Sequence, residues 1–282
     1  MVKRLETLLD VADRFDAIVF DQYGVLHNGT SAYPEAVSVL AELRAFKCEL
    51  AVLTNSGKRS ALNHSRITKM GFPADTFKHV MSSGEAVWCD LETQREITSL
   101  YPITAAAIDA QDWAGDLDVT FCDDVADAQA VLLMGLPDSG NHDIAHSALD
   151  QAQKLGLPVL CANPDRAAPR ADGKKVISPG TLAHAYADAG GAVTFYGKPH
   201  TPVFRALQDA LGIDDPSSIL MVGDSLEHDV AGGIAAGWST AFIEGGLHAN
   251  RFAHADDSLD ALRSLAAAEG AGLPTFTLSI LR

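Results

Sequence analysis

At 282 residues, with 47% hydrophobic and 21% charged residues, the chain has the composition of a folded protein with a sizeable core, arranged as one large or two modest domains. Its 21 Lys and Arg against 37 Asp and Glu leave a formal charge of −16. That balance excludes a general nucleic-acid or anionic-membrane surface, since both need basic patches, and reads as a solubilising exterior.

The opening stretch MVKRLETLLDVADRF sets Leu5, Leu8, Leu9 and Val11 at helical spacing. It lacks the unbroken apolar run of a secretory signal, and no segment approaches the ~18 apolar residues of a membrane span. Four scattered cysteines (Cys48, Cys89, Cys122, Cys161) form no CxxC pair and no metal-ligand spacing, so free thiols and a cytoplasmic location are expected.

The apolar run AIVF (17–20) predicts a buried strand that ends at Asp21. A helix over 36–46 follows, with Pro34 and Glu35 suited to its first turn. CELAVLT (48–54) predicts a second strand, and 58–70 a helix closed by Gly71. Near Ser83 another strand–helix rhythm begins, with AVLLMG (130–135), a helix near 142–154, LPVLCAN (157–163) and a helix over 180–189. It predicts an inserted domain over 84–190, with the core formed by 1–83 and 191–282. VTFYG (193–197), a helix over 202–212, SILMVG (218–223), a helical 229–237 and STAFIEG (239–245) complete the core pattern. Short strands apolar on both faces, alternating with helices, predict a doubly wound parallel α/β sheet.

In such a sheet ligands bind beyond the carboxyl ends of the strands. Four expected ends carry polar groups: Asp21, LTNSG (53–57), YGKPH (196–200) and GDSLEHD (223–229). A lone acid at a strand end is usually a turn or cap residue, but four polar ends in one order form a pattern.

That pattern, Asp21-x-x-Gly-Val-Leu, Leu-Thr54-Asn55-Ser56, an insert, Gly-Lys198-Pro, and Gly-Asp224-Ser-x-x-x-Asp229, resembles the haloacid dehalogenase-like (HAD) hydrolase superfamily over nearly the whole chain. An insert after the Thr-Asn motif is similar to the α/β cap of class IIA, whose members include aryl-phosphate, pyridoxal-phosphate, nucleotide and phosphoglycolate phosphatases. The resemblance implies a Rossmann-like core and attack on phosphorus by Asp21 with an aspartyl-phosphate intermediate. It implies Mg²⁺ held by Asp21, the Tyr23 carbonyl and Asp224, with Asp229 a further or water-mediated ligand. Thr54, the Asn55 N–H and Ser56 would bind phosphoryl oxygens, and Lys198 would offset their charge. A small phosphorylated substrate and a homodimer through the cap are expected.

One residue departs from the family pattern. Two positions beyond the nucleophile, where these phosphatases usually carry an acid–base Asp, this chain has Tyr23. A phenol, ordinarily titrating near pH ~10, is a poor base at neutral pH. Either another group such as His27 donates the proton, or the leaving group needs none, as with aryl or acyl phosphates. Asp-x-Tyr-Gly also resembles the dehalogenase motif itself. A metal-independent dehalogenase is therefore an alternative, although only about a dozen residues separate Asp21 from the first helix, too few for that group's cap. A weak phospho-ligand-binding protein is a third reading. In the insert, Asn163, Asp165, Arg166 and Arg170 are candidate substrate contacts, while Trp88 and Trp113 suit either a flat substrate or the core. His184 is expected to be structural, and His200 has no role readable from its position.

Overall fold

The computed structural model describes residues 2–106, 108–137, 140–169 and 175–282; Arg170 lies outside them. Contacts divide the chain into two compact units. One comprises Met1–Thr54, Ala61–Met81 and Phe204–Arg282, the other Asn55–Ser60 and Ser82–Val203.

The first unit is built on the expected doubly wound sheet. Its seven strands run in the order Lys3–Arg4, Phe276–Leu278, Ser239–Ile243, Ile219–Gly223, Ala17–Phe20, Glu49–Thr54 and His79–Ser82. The neighbouring pairs from Lys3–Arg4 through Glu49–Thr54 are parallel. Ala17–Phe20 is central and wholly buried, which is why its sequence shows no polar alternation. The helix Pro34–Leu43 begins with proline at its first turn and buries Ala36, Val39, Leu40 and Leu43, the i, i+3, i+4, i+7 stripe of a helix facing a core.

Order along this sheet positions the site. From Ala17–Phe20 the chain builds outward through Glu49–Thr54, then begins again at Ile219–Gly223 and builds the other way. The order therefore reverses between Ala17–Phe20 and Ile219–Gly223, whose register pairs Phe20 with Val222. At such a switch point adjacent loops diverge and leave a crevice at the carboxyl edge.

The second unit carries a five-stranded parallel sheet in the order Val193–Phe195, Val159–Cys161, Ala130–Leu133, Ser99–Ile103 and Thr120–Phe121. Helices Asp143–Leu155 and Pro179–Asp188 pack into its core through Ala148, Leu149, Ala152, Leu182 and Ala183.

Three differences from the sequence reading stand out. The strand Val193–Phe195, expected in the main sheet, instead pairs with Val159–Cys161 as an edge of the second sheet, and its exposed Thr194 reflects that position. The N-terminal stretch forms a two-residue strand and two short 3-10 turns, at Leu8–Asp10 and Ala12–Arg14, rather than a helix. Residues after Ser225 enter a π-helical turn, Leu226–Ala231, before a single α-turn at Gly232–Ala235. Among the described residues, no helix is long and apolar enough to cross a membrane.

Candidate active site

Three carboxylates meet at the switch point of the first unit. Asp21, Asp224 and Asp229 each place an oxygen within 4.8 Å of the others, with Asp224 and Asp229 buried. Asp21 and Asp224 sit where their strands end. Asp21 follows Phe20 and donates its backbone N–H to Val222 O (2.9 Å); Asp224 follows the neighbouring Ile219–Gly223. The π-turn returns Asp229 to the same place. Its N–H and that of Val230 both donate to Ser225 O (3.1 and 3.2 Å), and its Oδ2 accepts from Ser225 N (3.1 Å).

The surroundings of Asp224 are built to orient its carboxylate. Leu247 N donates to Oδ2 at 2.7 Å. Two glycines leave room for it: a Cβ on Gly24 would lie 1.9 Å from Oδ2, and one on Gly246 2.2 Å from the same atom. Gly24 also holds φ +85°, the left-handed region that favours glycine after the strand.

Unit negative charges at this spacing repel by roughly 3–4 kcal/mol per pair at an effective dielectric of about 20. A divalent cation offsets that repulsion, and a set of hard carboxylate oxygens suits Mg²⁺, Ca²⁺ or Mn²⁺ rather than a thiophilic metal. The residues present therefore fit a hard divalent ion.

Tyr23 is half-exposed. Its ring meets His27 edge-on at 6.4 Å between centroids and passes over Gly29, where a Cβ would come within 3.1 Å. His27, one of the two alternatives considered for proton donation, is buried. Its Nδ1 accepts from Gly29 N (3.0 Å), so the neutral ring carries its hydrogen on Nε2, which is buried without a partner. Burial first, and then the Arg66 charge, push its pKa below the ordinary histidine value against an opposing pull from Asp21. His27 is thus a neutral ring, not an imidazolium acid.

This has a measurable consequence. Unfolded histidine titrates near ~6.5 and the folded ring lower, so as pH falls below ~6.5 the unfolded chain takes up the proton first and stability declines. His27→Asn, which keeps an acceptor for Gly29 N, should flatten that decline in urea melts between pH 7.5 and 5.5. Equal slopes would assign it to His79 and His248, which burial also depresses.

Tyr33, not singled out by the sequence, belongs to the same neighbourhood. Burial, and then the proximity of Tyr23 and Asp224, raise its phenol above the ordinary value. Gly246 and Leu247 were also missed. The one available signal was the Gly-Gly pair that follows the strand Ser239–Ile243.

The second unit gathers the other expected residues. Asn55, Ser56 and Lys198 all belong to it, although Thr54, next to Asn55 in sequence, belongs to the first. The Asn55 side chain contacts Lys198 and Asp165: Oδ1 accepts from Lys198 N (2.6 Å), and Nδ2 donates to Lys198 O (3.0 Å) and Asp165 Oδ1 (2.7 Å). Ser56 O accepts from Gly84 N (3.0 Å) and its Oγ from Lys58 N (3.3 Å). Asn163 Oδ1 accepts from Asp165 N (3.0 Å), closing the Asn-Pro-Asp turn, while the exposed Arg166 gives its carbonyl to Ser178 N.

The tryptophans serve structure. Trp113 is buried and donates to Gly84 O. Trp88 lies beneath the Arg59 guanidinium (4.0 Å), which also pairs with both Glu85 oxygens. His184 and His200 each stack on Phe195 at 4.6 Å. Cys161 is a buried thiol, raised by that burial to about 12, which makes it inert.

Fold and acidic cluster together define a doubly wound α/β protein with three carboxylates gathered at its topological switch point, a set that fits a hard cation. The chain belongs to the haloacid dehalogenase-like hydrolase family, which matches residues 15–237. Among curated proteins it resembles human Chronophin, 27% identical over 254 residues, 85% of this chain and 84% of that one. Human Glycerol-3-phosphate phosphatase is 25% identical over 250 residues, 80% and 77% of the respective chains. A haloacid dehalogenase-like hydrolase from Brucella suis 1330 superposes with a TM-score of 0.78 at 27% identity, over 99% of this chain and all of the other.

Proposed function

We propose that this hydrolase is a phosphatase of small phosphate monoesters that uses Mg²⁺. The observation that carries the reading is the Asp21–Asp224–Asp229 cluster at the switch point, which a hard divalent cation would neutralise and a metal-independent dehalogenase would not require. Relatives named as phosphatases support the substrate class. Asp21, the Tyr23 carbonyl and Asp224 would hold the ion, with Asp229 contributing directly or through water. Bound there, Mg²⁺ supplies charge neutralisation to the phosphoryl oxygens and the attacking carboxylate.

Asp21 is the nucleophile: its carboxylate oxygen forms a bond to phosphorus as the ester oxygen leaves, and water then cleaves the acyl phosphate. Thr54, the Asn55 N–H and Ser56 bind the phosphoryl oxygens, and Lys198 offsets their charge. Tyr23 contributes its backbone, and its side chain leaves the ester oxygen without the usual acid. Esters whose oxygen departs as a stable anion are accordingly favoured, aryl and acyl phosphates before alkyl ones. The second unit acts as the cap that selects the substrate and pairs two copies, and the enzyme works in the cytoplasm.

Phosphate release from aryl, acyl, sugar and nucleotide phosphates, measured with Mg²⁺ and with EDTA, tests this. Expected is release that EDTA abolishes, fastest for aryl or acyl members. Halide release from haloacids that ignores EDTA would replace the reading with dehalogenation, and no product from any compound would leave only ligand binding.

A further inference from the structure

We propose that the Asn55 carboxamide is the positioning residue for Lys198 and ties it to the Asp165 turn; this rests on the phosphatase reading for its kinetic part. Lys198 and Asp165 lie 143 and 110 positions from Asn55 in sequence, and the amide meets both with three hydrogen bonds. Oδ1 takes the Lys198 N–H, while Nδ2 serves both the Lys198 carbonyl and the Asp165 carboxylate. The main chain of Lys198 is thus gripped on both sides of its Cα, which sets the direction in which its side chain leaves.

Only a carboxamide does this. It offers an acceptor and two donors on one planar group, whereas a carboxylate has no donor and a hydroxyl only one atom to share. Asn55 is buried, so water does not substitute for a lost partner.

Both sides of the clamp are themselves fixed. Asn163 closes the turn onto Asp165 N, Gly180 N donates to Asp165 O (3.1 Å), and a Cβ on Gly180 would lie 1.9 Å from Pro164 O. On the Asn55 side, Gly84 N donates to Ser56 O, and a Cβ on Gly57 would come within 2.6 Å of Met134 O. Asn55 therefore joins two rigid loops, one that carries phosphate-binding groups and one from the region expected to contact substrate. Its role goes beyond the backbone N–H contact expected from the sequence: the side chain aims the lysine.

A charge exchange tests the clamp. Asn55→Asp turns the Nδ2 donor into an oxygen facing the Asp165 carboxylate, while Asp165→Asn keeps an acceptor and completes a double-mutant cycle. With the best phosphate ester of the panel, Asn55→Asp should lower kcat about 10- to 100-fold with KM nearly unchanged, because misdirecting Lys198 removes help given in the transition state. Asn55→Asp with Asp165→Asn restores a donor–acceptor pair between the two positions and should recover about tenfold of that loss. Wild-type kcat in Asn55→Asp, or a double variant no better than the single one, would overturn the proposal. If Asn55→Asp is too unstable to assay, Asn55→Ser, neutral and shorter, carries the same expected fall in kcat. The same cycle read in Tm separates the two readings: a wild-type enzyme that releases no phosphate ends the phosphatase assignment, whereas additive Tm changes end the clamp.

Discussion

Tyr23→Asp should accelerate hydrolysis of alkyl phosphates by ~10²–10⁴-fold, the range that a positioned general acid–base supplies. The gain for aryl phosphates should be far smaller, because a phenolate leaves with little need of a proton. The position suits the exchange. Tyr23 is half-exposed, and the contacts seen for its ring are the edge of His27 and the open face of Gly29, so truncation leaves no large cavity behind. The metal would see the main-chain carbonyl, unchanged by the substitution, so Mg²⁺ affinity should hold. His27 does not compensate in the parent enzyme as an imidazolium, since it is neutral and enclosed. The check is kcat/KM across esters of graded leaving-group pKa. A steep dependence in the parent that flattens in Tyr23→Asp is the expected pattern. Parallel slopes, with neither ester class faster, would mean that the tyrosine does not limit proton transfer.

Gly246→Ala should weaken divalent-metal binding about 10- to 100-fold, the usual cost of disturbing a group that orients a ligand. The added methyl would sit 2.2 Å from Asp224 Oδ2 and 2.3 Å from its Cβ, distances no packed pair of atoms adopts. Either the carboxylate swings away or the loop retreats and takes the Leu247 N–H with it. Gly246 is the cleaner probe of this pair, because alanine at Gly24 would add the strain of φ +85° to the same clash. Calorimetric titration with Mg²⁺, or the rise in Tm on adding it, reads the affinity without any turnover. Unchanged affinity would show that Asp224 does not need its present orientation to hold the ion.

Much of the first unit was legible from the chain because its central strands are buried on both faces and so read as unbroken apolar runs. Asp21, Thr54 and Asp224 were found as polar residues that end such runs. The edge strands Lys3–Arg4 and His79–Ser82, and Phe276–Leu278 beside the first of them, went unread, since two to four residues carry no period. Val193–Phe195 was recognised as a strand but assigned to the wrong sheet: local sequence specifies extended backbone, whereas its neighbour is chosen by long-range pairing.

For this protein the sequence by itself determined the alternating α/β architecture and the order of polar strand ends, because hydrophobic period and turn chemistry act over a few residues. Tertiary structure alone decided which polar groups meet. It placed Asp229 beside Asp21 through a π-turn, closed Gly24, Gly246 and Leu247 around Asp224, and enclosed His27. It also joined Asn55 to residues 110 and 143 positions away. The physical reason is the same in each case: burial, steric room and hydrogen-bond partners are set by chain segments remote in sequence, and no local pattern encodes them.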